Sequence, residues 1–186
     1  ASTIADARRL PTPDCRLVGP RDIAMIYSAI LFLPLAGALI AGLLGRLIGA
    51  RASEVVATAA LFAAAALSWV VFYDVALAGG HGEGAEKITI LRYVASGELD
   101  TSWSIRVDTL TAVMLVVVNT ISSLVHLYSI GYMADDPHRP RFFAYLSLFT
   151  FAMLALVTSD NFLQLFFGWE GVGLASYLLI GFWYLK

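Results

Sequence analysis

The acid most able to do chemistry in this sequence is Glu170, in the stretch FFGWEGVGLASYLLIGFWY from Phe166 to Tyr184. It lies in the middle of an apolar run from about Phe162 to Leu185, long enough to cross a hydrocarbon layer of roughly 30 Å. A carboxylate at the centre of such a helix costs about 2.5–3.5 kcal/mol on insertion scales, and folding supplies no reason to carry it, so it marks a functional site. At 100° per residue, Phe166, Glu170, Gly173, Tyr177, Gly181 and Tyr184 share one helix face. Small residues there admit a close neighbour, and the tyrosine hydroxyls offer hydrogen bonds or hold water. The chemistry this implies is proton exchange: a buried carboxyl that takes up and releases a proton as its partner moves, with Tyr177 in support. The plainer alternative is a static buried ion pair. Either needs a cation, and no Lys or Arg falls inside the apolar runs, so the cation is expected from chain or subunits beyond this sequence.

A second polar set lies earlier. Asp108, Thr111, Asn119, Ser122, His126 and Ser129 fall within a wedge of roughly 80° on a helix that is otherwise mostly Val, Leu and Ile. For Ser122 and Ser129 the plain reading is hydrogen bonding between helices, at about 0.6 kcal/mol each. His126 is a weaker relay candidate, because imidazole exchanges protons near neutral pH.

Other chemistry is excluded. The formal net charge of −2 comes with no basic stripe, so no nucleic acid is expected as a partner. Cys15 is the only cysteine and His81, His126 and His138 lack ligand spacing, so neither a metal nor a cofactor is expected in this chain.

The elements that must position these residues are membrane spans. The chain is 59% hydrophobic with a mean hydropathy of +0.77, above the roughly 45–50% apolar share of soluble domains. Hydropathy predicts five spans, at about Met25–Leu44, Val55–Leu77, Leu110–Met133, Phe142–Thr158 and Phe162–Leu185. All must be helices, since lipid leaves no other partner for the backbone of an isolated span. Pro34 is expected to kink the first, Ser53 to cap the second, and Asp160 or Asn161 to cap the fifth. Asp74 and Asp108 lie near span ends and read as solvated or capping residues.

Residues 1–24 are polar, rich in proline and without period, and read as a disordered or artefactual leader before a start at Met25. A secretory signal flanked by Arg21 is the rival reading; about 20 apolar residues exceed the 7–15 of a signal core. Between spans two and three, KITILRYV and TSWSIRVD flank a turn and predict a β-hairpin over about residues 87–108. Trp103, Ile105 and Val107 should pack while Ser102, Ser104 and Arg106 meet water. The turn from Asp135 to Arg141 reads as membrane-surface punctuation. The fold class is therefore an all-α membrane protein of about five transmembrane helices, with a small extramembrane β-hairpin between helices two and three. Arg46, Arg51, Arg139, Arg141 and Lys186 lie opposite the hairpin, so with a start at Met25 the positive-inside rule places the hairpin and the beginning of the first helix outside.

The segment GWEGVGLASYLLIGFWY, preceded by RFFAYLSLFTFAMLALVTSDNFLQLFF and by HLYSIGYM at His126–Met133, resembles the N-terminal part of chain 5, or subunit L, of proton-pumping NADH:quinone oxidoreductase, respiratory complex I. The resemblance runs from Met25 to Lys186. It implies an antiporter-like chain of many helices at the distal end of a membrane arm in a bacterial inner membrane, partnered by other membrane-arm subunits, lipid and protons. It implies that Glu170 is the essential acid of the fifth helix, paired with a lysine on a later helix. NADH, FMN, iron–sulfur clusters and quinone belong, on this resemblance, to other subunits, so the chain is part of a translocase without a redox site of its own. The large subunit of multisubunit cation/proton antiporters shares the WEG region and is the alternative. A structural membrane scaffold is the alternative of another class.

Overall fold

The structure is a computed structural model that describes residues 20–77, 86–96 and 99–184. Helix α1 spans Pro20–Leu39, so it begins inside the stretch expected to be leader; residues 1–19 lie outside the described residues. Proline is tolerated in a first turn, where its missing N–H has no partner to lose. The helix runs through buried Pro34 and loosens into a π turn at Ile40–Leu44 before the short α2, Gly45–Ile48.

Gly49 then turns the chain with φ +91°, a conformation open to a residue without Cβ. Helix α3, Ala50–Phe72, therefore starts five residues before the predicted Val55. Ser53, expected as its cap, lies inside the first turn and donates its hydroxyl to the Gly49 carbonyl at 3.1 Å. A second π turn, Tyr73–Leu77, extends α3 and carries Asp74 into the interior, where it is 4% exposed; the solvated position expected for it is not adopted.

Strands β1, Glu86–Ser96, and β2, Leu99–Val107, form the expected antiparallel hairpin, with register shifts between Thr89 and Leu91 and between Arg92 and Val94. Helix α4, Thr109–Tyr132, is capped by Asp108, whose Oδ1 accepts from the Thr111 N–H at 2.7 Å. Helix α5, Arg139–Val157, starts in what read as a surface turn, with Pro140 accommodated in its first turn. Helix α6, Phe162–Ile180, is capped by Asn161, whose Oδ1 accepts from the Gln164 N–H at 2.9 Å, and ends in a 3₁₀ turn at Gly181–Trp183.

Among the described residues, five helices are long and apolar enough to cross a membrane, over Ala24–Leu44, Ala50–Ala76, Thr109–Tyr132, Arg139–Val157 and Phe162–Trp183. The chain is a multi-pass, all-α membrane protein with one small sheet among its described residues. Helix α5 is the hub, packing on α1, α3, α4 and α6. Ile105 and Val107 of β2 sit in a core with Tyr27, Ile30, Leu115 and Leu154, closing one end of the bundle. Burying such side chains stabilises by about 1.5–3 kcal/mol each. A smaller cluster of Ala41, Ala57, Phe143 and Ala144 fills the opposite end.

The hairpin does not lie free. Arg106 N–H donates to the Thr158 carbonyl at 3.0 Å, Ile105 and Ser159 form an antiparallel bridge, and Ser104 N–H donates to Gln164 Oε1 at 3.1 Å. Asn161 Nδ2 donates to the Ser102 carbonyl at 2.9 Å, and Lys87 pairs with Asp160. Of the three β2 residues expected to face water, Arg106 does, whereas Ser104 is fully buried. The α5–α6 turn covers that face of the strand.

Candidate functional site

Helix α6 is held against α5 by its small residues. A Cβ on Gly168 would lie 2.8 Å from the Cα and N of Leu156, and one on Gly171 would lie 3.1 Å from Ala152 Cβ. Ala175 is fully buried, so positions 168, 171 and 175 form the contact stripe expected of close-packed helices in a membrane. The close approach thus uses Gly168 and Gly171, while a Cβ on Gly173 or Gly181 would meet no atom within 4 Å.

That rotation turns Phe166, Glu170, Gly173, Tyr177, Gly181 and Tyr184 outward together, on one face as the periodicity predicts. Glu170 is exposed and makes no hydrogen bond or ion pair among the described residues. The burial expected for it is therefore not provided by these residues, because α6 is the outermost helix and packs chiefly on α5. Tyr177 is 73% exposed beside it.

Both ends of α6 are fastened while this middle face stays open. At the hairpin end, Asn161 and Gln164 bond β2, and the Trp103 ring meets Phe167 edge-on at 5.2 Å. At the other end, Arg141 Nη2 donates to the Phe182 carbonyl at 3.1 Å, its guanidinium stands 4.8 Å over the Phe182 ring, and Trp183 Nε1 donates to Asp136 Oδ2 at 2.9 Å. The Asp135–Arg141 turn is thus a clasp on α6 rather than punctuation. Arg139 and Arg141 belong to the span α5, which corrects the expectation that no cation falls inside a span. Arg141 does not reach Glu170: its anchor at Phe182 lies twelve residues on, about 18 Å along the helix. It lines, with Tyr145, Tyr177 and Tyr184, an open cleft of about 380 Å³.

His126 is fully buried. Its Nδ1 lies 2.9 Å from the Ser122 carbonyl and its Nε2 3.1 Å from Ser147 Oγ. A carbonyl only accepts, so Nδ1 carries the proton, and in the neutral ring Nε2 accepts from the Ser147 hydroxyl. The α4 stripe faces inward as predicted, with Asn119 Nδ2 donating to Ser68 Oγ at 2.8 Å and Thr150 Oγ1 donating to Ser122 Oγ at 3.0 Å. Ser129 bonds its own helix, at the Val125 carbonyl. His126 and Glu170 are not brought together: His126 faces α5 from α4, while Glu170 points away from α5 on the far side.

The burial of two acids escaped the sequence reading. Glu54, assigned to a loop by hydropathy, is 5% exposed with Oε2 3.6 Å from Arg139 Nη1. Asp74 is buried with Oδ1 unpartnered. A heptad-like run on α3 through Glu54, Thr58, Leu61, Ala65 and Ser68 was the signal that could have found Glu54; it does not extend to Asp74.

The N-terminal family of chain 5 of NADH–ubiquinone oxidoreductase (complex I) matches residues 93–143. The chain is 54% identical over 161 residues to NADH-ubiquinone oxidoreductase chain 5 of Arabidopsis thaliana, a match covering 87% of this chain and 24% of that one. It is 57% identical over 166 residues to NADH-quinone oxidoreductase subunit L of Rhodobacter capsulatus, covering 86% and 22%, and 50% identical to subunit L of Rickettsia conorii, covering 87% and 24%. The chain thus spans about a quarter of the length of these relatives. By its spans, its hairpin and its sequence, the chain belongs to the chain 5/subunit L family of NADH:quinone oxidoreductase.

Proposed function

We propose that this chain forms the N-terminal part of a proton-translocating membrane-arm subunit of NADH:quinone oxidoreductase, with Glu170 as its protonatable switch. The observation that carries the reading is the outward face of α6: an acid at mid-span, flanked by Gly173 and Tyr177, unpaired among the described residues and pinned in rotation by Gly168 and Gly171. Lipid is a poor neighbour for a carboxylate. A cation from a later segment or a neighbouring subunit would complete the site, and movement of that cation would shift the acid between holding and releasing a proton. Tyr177 supplies a hydroxyl on the same face. His126 is the weaker relay, able to take a proton at Nε2. Redox chemistry belongs to other subunits, and the hairpin end faces the outer side of a bacterial inner membrane.

The test is Glu170→Gln in the full-length complex. The expected result is an assembled enzyme that oxidises NADH while coupled proton transport is mostly lost. Undiminished transport sinks the proposal. The scaffold reading draws on the Asn119–Ser68 and Thr150–Ser122 bonds, which join helices without chemistry. It predicts that Glu170→Gln changes nothing and that Glu170→Ala impairs assembly.

A further inference from the structure

Arg141 is a half-buried cation without an acid. Its Nη2 donates to the Phe182 carbonyl at 3.1 Å and its guanidinium stands over the Phe182 ring, but its Nε has no partner. No carboxylate pairs with it among the described residues: Asp136 accepts from Trp183 Nε1 and the His138 N–H, and Glu54 faces Arg139. One carbonyl and one ring leave most of a five-donor fork unused. Beside it opens a cleft of about 180 Å³, lined also by His138, Trp183 and Tyr184. Arginine, an exposed imidazole and a phenol hydroxyl around one space are the donors that an anion requires.

The cleft lies at a membrane boundary. Tyr128 and Tyr132, both exposed, stack with ring centroids 6.0 Å apart, and Trp183 continues the row 6.3 Å from Tyr132, so amphipathic rings cross from α4 to the end of α6. Such rings sit at headgroup level. Beyond the cleft, α5 floors a groove. Its Ser147 and Thr150 meet α4, and its Ala152 and Leu156 meet α6. At 100° per residue these directions are nearly opposite. Phe151 on one face between them stacks on Phe32 of α1, while Phe142, Leu146, Phe149 and Met153 share the other face and are half-buried. From Phe142 to Met153 this apolar floor runs about 17 Å, close to the depth of one leaflet of a roughly 30 Å layer.

We propose that the cleft and groove hold one phospholipid of the leaflet opposite the hairpin, its phosphodiester on Arg141 and His138 and an acyl chain along Phe142, Leu146, Phe149 and Met153. The phosphate oxygens supply the acceptors that the guanidinium lacks, and a planar fork suits them better than a point charge does. A free phosphate would meet the same donors but would leave the apolar floor bare, so the groove selects the lipid. Bound there, the lipid joins the ends of α4, α5 and α6 at the clasp formed by Asp136 and Arg141. It uses neither Glu170 nor Tyr177.

The experiment reconstitutes the full-length complex in vesicles of phosphatidylethanolamine and phosphatidylglycerol that include a phospholipid with a photoreactive diazirine in its acyl chain, and maps the crosslinked peptides by mass spectrometry. The expected result is label on the Phe142–Met153 stretch that falls several-fold in Arg141→Met and is mostly retained in Arg141→Lys. Label on the exposed α3 residues Phe62 and Trp69 should not change in either variant. Should Arg141→Met fail to assemble, His138→Glu, at an exposed position, must lower the label instead. An unlabelled stretch overturns the proposal by showing that protein fills the groove. Equal label in the assembled variants overturns it too, since the lipid is then held by no headgroup contact. Loss of label in excess inorganic phosphate marks a free-anion site and overturns the lipid. Glu170→Gln should leave the label unchanged, so failure of the Glu170 reading is scored separately, by transport.

Discussion

Gly168 and Leu156 meet backbone to backbone: a Cβ on Gly168 would stand 2.8 Å from both the Cα and the N of Leu156. Neither atom belongs to a side chain that can swing aside. This contact fixes which way α6 is turned, and with it the direction of Glu170 two residues on.

Gly168→Ala should therefore push α6 off α5, destabilising the fold by about 1–3 kcal/mol and disturbing transport without touching the acid. Gly173→Ala, with nothing within 4 Å, should leave the melting temperature of the isolated subunit unchanged. Equal melting temperatures for the two variants would contradict the contact.

The Glu54–Arg139 pair joins the starts of α3 and α5. Arg139→Ala leaves an acid that is 5% exposed without its cation, and should cost about 3 kcal/mol, the lower end for breaking a buried pair. Glu54→Gln in the same chain should restore much of the loss. A double variant as unstable as Arg139→Ala would show that the pair contributes through packing alone.

The hairpin clasp depends on two amides. Gln164→Leu removes the acceptor for Ser104 N–H, and Asn161→Ala removes both the α6 cap and the bond to Ser102, so each should cost about 1–2 kcal/mol. Hydrogen exchange should rise in β2 and the first turn of α6 together. Lys87→Gln, half-exposed, should do much less, and its small effect should vanish at high salt.

Asp108 gives a pH signature. The Thr111 N–H bond holds its carboxyl below the ordinary value of 3.8, outweighing burial. A depressed folded value means the stabilisation is fully present above the unfolded value and is lost as pH falls through the folded one. Protection of the first turn of α4 should be flat from neutral pH to about 4 and decline below it. Asp108→Asn should keep the cap and remove the decline.

The five spans, the hairpin and the Asn161 cap were legible because each rests on local signals: apolar runs, alternation and an Asx residue at a helix start. Burial of Ser104 was not, because its cover is Gln164, sixty residues away. The start of α5 was hidden by Arg139-Pro140-Arg141, polar to a hydropathy window yet compatible with a helical first turn. Asp74 reached the interior through a π turn, a change of phase that 100° per residue does not anticipate. Periodicity placed Glu170 and Tyr177 on one face, but four glycines at 168, 171, 173 and 181 could not reveal which of them met a neighbour.

The docking of β2 on the α5–α6 turn also sets an order of events during biogenesis. Ser104 leaves the ribosome sixty residues before Gln164, an interval of about 3–12 s at roughly 5–20 residues per second. Until the α5–α6 turn emerges, late in that interval, the strand edge has none of these partners, and α4 and α5 must be threaded before it acquires them. Closure of the hairpin onto α6 is accordingly a late step, a seal that reports that the fifth span has arrived.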